Sequence, residues 1–138
     1  MEINNCINFL LSASQNVVNK YFKQELSKYN VTPAQYGVLN CLWSHGDLTP
    51  STIRNMLKLE ASSVSGVLDR MQKEDLIDRT IDPNNRRTII VSPTDKSMAM
   101  KDDIELIVDN MNKKYLSSYT HEEQAILKKL LQTIIDSN

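Results

Sequence analysis

The sequence predicts a mainly α-helical fold carrying one β-hairpin, an α+β class, and three observations predict it. Apolar residues recur at helical spacing over most of the 138 residues. Thr-Pro pairs and a Thr-x-x-Glu box mark helix starts along that pattern. One stretch breaks it: the turn-forming run Asp82-Pro83-Asn84-Asn85, with β-branched residues from Thr88 to Val91 beyond it.

Taken in order, Ile7, Leu10, Leu11, Val17, Val18, Tyr21, Phe22 and Leu26 predict a long first helix to about Tyr29. Thr32-Pro33 starts a second, because Thr accepts an orphan N–H as N-cap and Pro fits the first turn. This helix carries Tyr36, Val38, Leu39, Leu42 and Trp43 and stops at Gly46. Thr49-Pro50 opens a short third helix through Ile53, Met56 and Leu57. A break at Lys58-Leu59-Glu60 separates it from a fourth, Ala61 to Glu74. Leu76 to Ile81 reads as a strand, and Thr88 to Val91 as its partner. Thr94 opens one long helix through Ile104, Ile107, Val108, Met111, Tyr115 and Leu116. Thr120 with Glu123 is a capping box for a last helix through Ile126, Leu127, Leu130, Leu131, Ile134 and Ile135.

Composition sets limits. Hydrophobic residues at 41% and charged residues at 24% exclude wholesale disorder. A net charge of -1 argues against a polyanion binder held by bulk charge alone. Charge is unevenly spread, however. Every Arg (Arg54, Arg70, Arg79, Arg86, Arg87) falls between Ile53 and Ile90, and Arg is the side chain best suited to phosphate and groove contact. Cys6 and Cys41 lack metal or redox spacing and read as buried or partly buried thiols. No apolar run is long enough for a membrane span and no leader pattern opens the chain, so a cytoplasmic location is expected. His45 and His121 read as solvated, and Asp102-Asp103-Glu105 as a solvated helix face. No Ser-His-Asp set, phosphate loop or nucleotide fingerprint is present, so no enzyme, cofactor or metal is expected.

The third and fourth helices, joined by a short turn, have the form of a helix-turn-helix. In the fourth, Val64, Val67, Leu68 and Met71 make the buried stripe. The other face carries Ser62, Ser63, Ser65, Gly66, Asp69 and Arg70, small and polar enough to lie against a major groove. The plain alternative is the polar face of any surface helix. The hairpin weighs against it. Asp82-Pro83-Asn84-Asn85-Arg86-Arg87 places two guanidinium groups at a β-turn, suited to the negative potential of a minor groove. Its own alternative is pairing of these Arg with Asp82 or Asp78.

With these pieces in sequence the chain is a winged helix-turn-helix, and it resembles the MarR family of bacterial transcriptional regulators. The resemblance runs from Leu76-Ile77-Asp78-Arg79 through Asp82-Pro83-Asn84-Asn85-Arg86-Arg87 to Val91-Ser92-Pro93-Thr94. It extends to Thr32-Pro33-Ala34-Gln35-Tyr36 and to Ser63-Val64-Ser65-Gly66-Val67-Leu68-Asp69-Arg70-Met71. It implies a winged helix-turn-helix DNA-binding domain at 31–93, with the wing at 77–92, and a helical dimerisation region at 1–30 and 94–138. It also implies a homodimer on a pseudo-palindromic operator in double-stranded DNA, acting as a repressor released by a small aromatic or phenolic effector or by oxidation.

On this reading Ser62, Ser63, Ser65 and Gly66 approach bases. Thr49, Ser51 and Arg70 meet phosphate or brace the helices. Asn84, Asn85, Arg86 and Arg87 form the minor-groove wing. Tyr21, Tyr36 and Trp43 either line an effector pocket or belong to the core. Two residues depart from the family pattern. Asn85 stands where Asp is common, weakening the hold on Arg87 to a neutral hydrogen bond. Gly66 stands where a longer polar side chain is common. In the peroxide-sensing branch a reactive Cys lies in the first helix, but the match places Asn8 there, with Phe22 and Pro33 at the supporting Tyr positions. The rival reading is a winged helix that has lost DNA and docks a partner protein.

Overall fold

The computed structural model describes residues 1–137; Asn138, the last residue of the expected 94–138 region, lies outside the described residues. The elements are α1 (Ile7–Leu26), α2 (Pro33–His45), α3 (Pro50–Leu57), α4 (Ala61–Lys73), β1 (Ile77–Asp82), β2 (Asn85–Pro93), α5 (Asp95–Ala99), α6 (Lys101–Leu116) and α7 (His121–Ile135). Short 3-10 turns at Ile3–Asn5 and Ser27–Tyr29 flank α1. The class is the expected one: helical, with a single antiparallel hairpin.

Capping chemistry explains most boundaries. Thr32 accepts the Gln35 N–H (3.1 Å) and Gln35 Oε1 accepts the Thr32 N–H (3.1 Å), a reciprocal box at the head of α2. Thr120 and Glu123 form the same reciprocal box at α7, while Thr49 and Thr94 cap α3 and α5 by accepting the Thr52 and Ser97 N–H groups alone. At three ends a non-glycine residue turns left-handed: Asn30 (φ 55°), Lys58 (φ 56°) and Asp75 (φ 60°). After each, an N–H reaches back five residues, Val31 to Leu26, Leu59 to Arg54 and Leu76 to Met71, satisfying carbonyls left over at the helix terminus.

One expectation fails. The helix opened by Thr94 is not continuous; it divides at Met100 into α5 and α6. The Thr94 hydroxyl donates to the Asp75 carbonyl (2.7 Å), and buried Ser97 donates to the Thr94 carbonyl (3.1 Å). These bonds pin α5 against the end of α4. The Met100 N–H then closes on Ser97 three residues back (3.2 Å), and the chain turns to run along α1. The strands are also displaced from expectation, because ladder pairing extends to Pro93 at one end and tightens to Asp82↔Asn85 at the other. An unexpected bridge, Leu48↔Val91, adds a third short segment beside the base of the wing.

Phe22 and Leu26 of α1, Val38, Leu39 and Leu42 of α2, Ile53, Val64, Leu68, Met71, Leu76, Ile77, Val91 and Ile104 share one buried cluster. The core therefore crosses the boundaries at residues 30/31 and 93/94. By contrast, α7 has no buried residue and makes only sparse contact with the rest of the chain. Ile126, Leu127, Leu130, Leu131, Ile134 and Ile135 on it are all exposed, as are Ile3, Ile7 and Val17 at the other end of the chain. Among the described residues no helix is long and apolar enough to cross a membrane.

Candidate nucleic-acid interface

Helix α4 is positioned from beneath. Val64, Leu68 and Met71 are buried and Val67 packs on the same core, which turns Ser62, Ser63, Ser65, Gly66 and Arg70 outward. Unlike α2, α3, α5 and α7, this helix starts without a side-chain cap: its N-cap is Glu60, whose carboxylate accepts no N–H of the first turn. Its leading N–H groups are therefore open to an outside acceptor. Two hydroxyls within other helices return to carbonyls four residues back, Ser14 to Leu10 and Thr133 to Lys129 (2.8 Å). Ser62, Ser63 and Ser65 make no such bond and stay exposed. At Gly66 an added Cβ would meet nothing within 4 Å, so neither packing nor backbone geometry calls for glycine there.

The wing is unusual in its register. Pairing is regular from Ile77↔Pro93 to Ile81↔Ile89 and then jumps to Asp82↔Asn85. Arg86, Arg87 and Thr88 thus have no opposite residue and form a bulge beside the two-residue loop Pro83-Asn84. Asp82 Oδ1 accepts the Asn84 N–H (2.9 Å), and Asn85 Oδ1 accepts the Arg87 N–H (3.2 Å). Asn85 therefore fixes the backbone of Arg87, not its guanidinium, which corrects the expected hold on that side chain. Neither arginine pairs with Asp78 or Asp82; among the described residues the ion pairs are Lys28–Glu25 and Arg79–Asp69. Asn84, Asn85, Arg86 and Arg87 are all exposed.

Other candidates divide. The Thr49 hydroxyl is occupied, accepting the Thr52 N–H (3.2 Å) and lying 2.9 Å from Thr52 Oγ1, so it braces α3; Ser51 is exposed beside it. The three aromatic candidates do not form one group. Tyr36 stacks edge-on with Phe22 (5.2 Å between ring centroids) and Trp43 (6.4 Å), whereas Tyr21 meets Tyr115 (5.9 Å) under the Lys114 ammonium. Burial, and then the charge of Glu105, raise the Tyr36 phenol above its ordinary pKa, opposed by a hydrogen bond from Asn40 (3.3 Å). Trp43 Nε1 is buried without an acceptor. A cavity of about 610 Å³ opens elsewhere, lined by Lys28, Tyr29, Asn30, Glu74, Leu76, Lys96 and Met100. Cys41 is buried, which raises its thiol pKa, while Cys6 is half-buried at the head of α1. Among the described residues no cluster of His, Cys, Asp and Glu could hold a metal ion. Sequence reasoning missed Arg79, which reaches from β1 to α4; its signal was present only as one arginine among five.

A helix-turn-helix with an outward polar helix and a two-stranded wing defines a winged-helix protein. The MarR family model matches residues 31–89. The organic hydroperoxide resistance transcriptional regulator of Bacillus subtilis is 30% identical over 137 residues, 99% of this chain and 92% of the relative. Two solved structures share the fold. A MarR mutant from E. coli, complexed with operator DNA, superposes with a TM-score of 0.85 at 22% identity, covering 93% of this chain and 92% of that one. BpsR of Bordetella bronchiseptica, solved to explain regulation of its DNA binding by 6-hydroxynicotinic acid, superposes with a TM-score of 0.92 at 20% identity, covering 100% and 99%. The chain belongs to the MarR family: it is a transcriptional regulator and not an enzyme.

Proposed function

We propose that this protein is a cytoplasmic homodimeric repressor that binds a pseudo-palindromic operator and leaves it when a small aromatic or phenolic effector binds. Each copy lays α4 in a major groove, with Ser62, Ser63, Ser65 and Gly66 near base edges and Arg70 and Ser51 toward phosphate. Each wing sends Arg86 and Arg87 to the adjacent minor groove, and Asn84 and Asn85 shape the tip.

The observation that carries this reading is the idle state of the polar groups. Three serine hydroxyls and two guanidinium groups are exposed and find no partner among the described residues. The serines lie on an α-helix whose first turn has no side-chain cap. Duplex DNA supplies acceptors for all of them. The second copy follows from α7, whose row of six large apolar side chains is exposed in a single chain; a symmetric pair would cover it. The Tyr36–Trp43 stack, where an indole N–H lacks an acceptor, supports the effector reading, as does the ligand-regulated DNA binding of BpsR.

Fluorescence anisotropy with a labelled duplex from the gene's own upstream region tests the reading. Replacing Arg86 and Arg87 together by Ala is expected to weaken binding at least about 30-fold and to flatten the salt dependence by roughly two phosphate equivalents. Unchanged affinity and slope would remove the wing from the mechanism.

A further inference from the structure

We infer that Arg79 is a positioning residue that locks the wing to the recognition helix, so that Arg86 and Arg87 are held at a fixed place relative to α4. The inference rests on the DNA-binding reading above and adds to it a residue outside the contact surface.

The wing needs such a tie. A two-stranded hairpin is marginally stable alone, and here only its base is embedded. Ile77 and Val91 are buried, but Ile81 and Ile89, paired across the outer half, are 63% and 44% exposed. The Leu48 bridge reaches β2 only at Val91. Beyond that level the ladder alone does not fix the angle between hairpin and α4.

Arg79 stands at that level, opposite Val91. Its guanidinium crosses to α4 and divides its donors between two residues one helical turn apart. Nη2 lies 2.8 Å from Asp69 Oδ1, and Nε donates to Gln72 Oε1 at 2.7 Å. The rigid planar fork of Arg suits this double grip, which Lys cannot reproduce. The pair is partly exposed, Arg79 at 26% and Asp69 at 55%. Partly exposed pairs contribute little to global stability. The consequence is therefore geometric: the brace sets the separation between the serine face and the arginine bulge. It also neutralises Asp69, whose carboxylate would otherwise face phosphate unpaired from the helix that carries the serines.

The competing role for Arg79 is direct phosphate contact, and the two make opposite predictions. The probe is the same labelled upstream duplex. If Arg79 is a brace, Arg79→Ala weakens binding about tenfold, yet costs less than about twofold more in a chain already lacking Arg86 and Arg87, because the wing then has nothing to deliver. Asp69→Ala, which frees Arg79, weakens binding as well. The exchange Asp69→Arg with Arg79→Asp restores it to within about threefold. If Arg79 touches phosphate, its loss is additive with that of the wing arginines, Asp69→Ala binds as well as the parent or better, and the exchange does not rescue. Either of the first two results overturns the inference.

A second measurement needs no DNA. Spin labels at Ser63→Cys and Asn84→Cys, with Cys6 and Cys41 replaced by Ala and the labelled chain diluted into a large excess of unlabelled chain so that each dimer carries one labelled copy, give the distance distribution between α4 and the wing tip. A single narrow distribution that broadens in Arg79→Ala supports the brace. Equal widths overturn it. A parent protein that binds no duplex would sink the regulator reading, while the label distances would still decide whether the brace exists.

Discussion

Helices α4 and α7 are both amphipathic and of similar length, 13 and 15 residues, yet they treat water in opposite ways. In α4 the apolar stripe is buried under the lobe and the polar face is exposed with its hydroxyls idle. In α7 the apolar stripe itself is exposed, and nothing among the described residues covers it. A single copy is thus incomplete in two chemically different ways. One surface lacks hydrocarbon, which the second copy proposed above would supply; the other lacks acceptors, which the proposed DNA duplex would supply. The contrast also separates stability from assembly as expectations: altering the buried stripe of α4 should damage the fold, whereas altering the exposed stripe of α7 should damage only the proposed pairing of two copies.

The largest effect should come from α7. Leu127→Asp with Leu131→Asp places two charges on the face proposed to meet a second copy, and burying an unpaired charge there would cost several kcal/mol. Sedimentation should show monomer at concentrations where the parent is dimeric, with the circular dichroism spectrum of a folded lobe retained. A variant that stays dimeric breaks the comparison. Next comes Leu68→Ala in α4. Leu68 is fully buried, and the cavity should cost about 2–5 kcal/mol in denaturant unfolding. The same change at exposed Leu130 should leave the lobe's unfolding transition almost untouched in the monomeric background.

A smaller change sharpens the account of α4. Gly66→Ala meets open space, so it should stabilise the free protein by up to about 1 kcal/mol through helix propensity. If the backbone there approaches the groove closely, the same methyl weakens DNA binding; a gain in both melting temperature and affinity would show that Gly66 does not face DNA. The smallest effect concerns Cys41. Its buried thiol, with a raised pKa, carries less thiolate at neutral pH than a free cysteine. It should resist alkylation in the folded protein, react only as pH rises past the free-thiol range, and become ordinary on unfolding. Rapid reaction of Cys41 at neutral pH would contradict its placement.

Much of this was legible in the sequence because the cues are local. Thr32-Pro33, Thr49-Pro50 and the Thr120/Glu123 box state their helix starts within four residues, and the alternation in α4 states which face is buried. The turn residues and the Arg86-Arg87 pair mark the wing for the same reason. What stayed hidden depends on partners distant in the chain. The break at Met100 follows from the grip of Thr94 on Asp75, nineteen residues away, while the apolar spacing runs on without a Gly or Pro to mark it. The bulge that frees Arg86 and Arg87 is a matter of register, which turn composition does not specify. Tyr21, Tyr36 and Trp43 share one hydrophobic pattern, yet Tyr21 meets Tyr115 of α6 while Tyr36 and Trp43 meet each other. Thr49 reads equally well as a cap or a phosphate ligand until its hydroxyl is seen engaged. Arg79 looked like one more groove arginine, and only the placement of Asp69 and Gln72 distinguishes it.

Sedimentation of the protein with a fluorescent duplex from its own upstream region, monitored through both protein and label, measures how many chains each duplex carries. Two chains per duplex for the parent, and loss of the complex when α7 carries Asp at 127 and 131, is the result expected if the two exposed surfaces serve a second copy and DNA. One chain per duplex, or a complex that survives those changes, would contradict it.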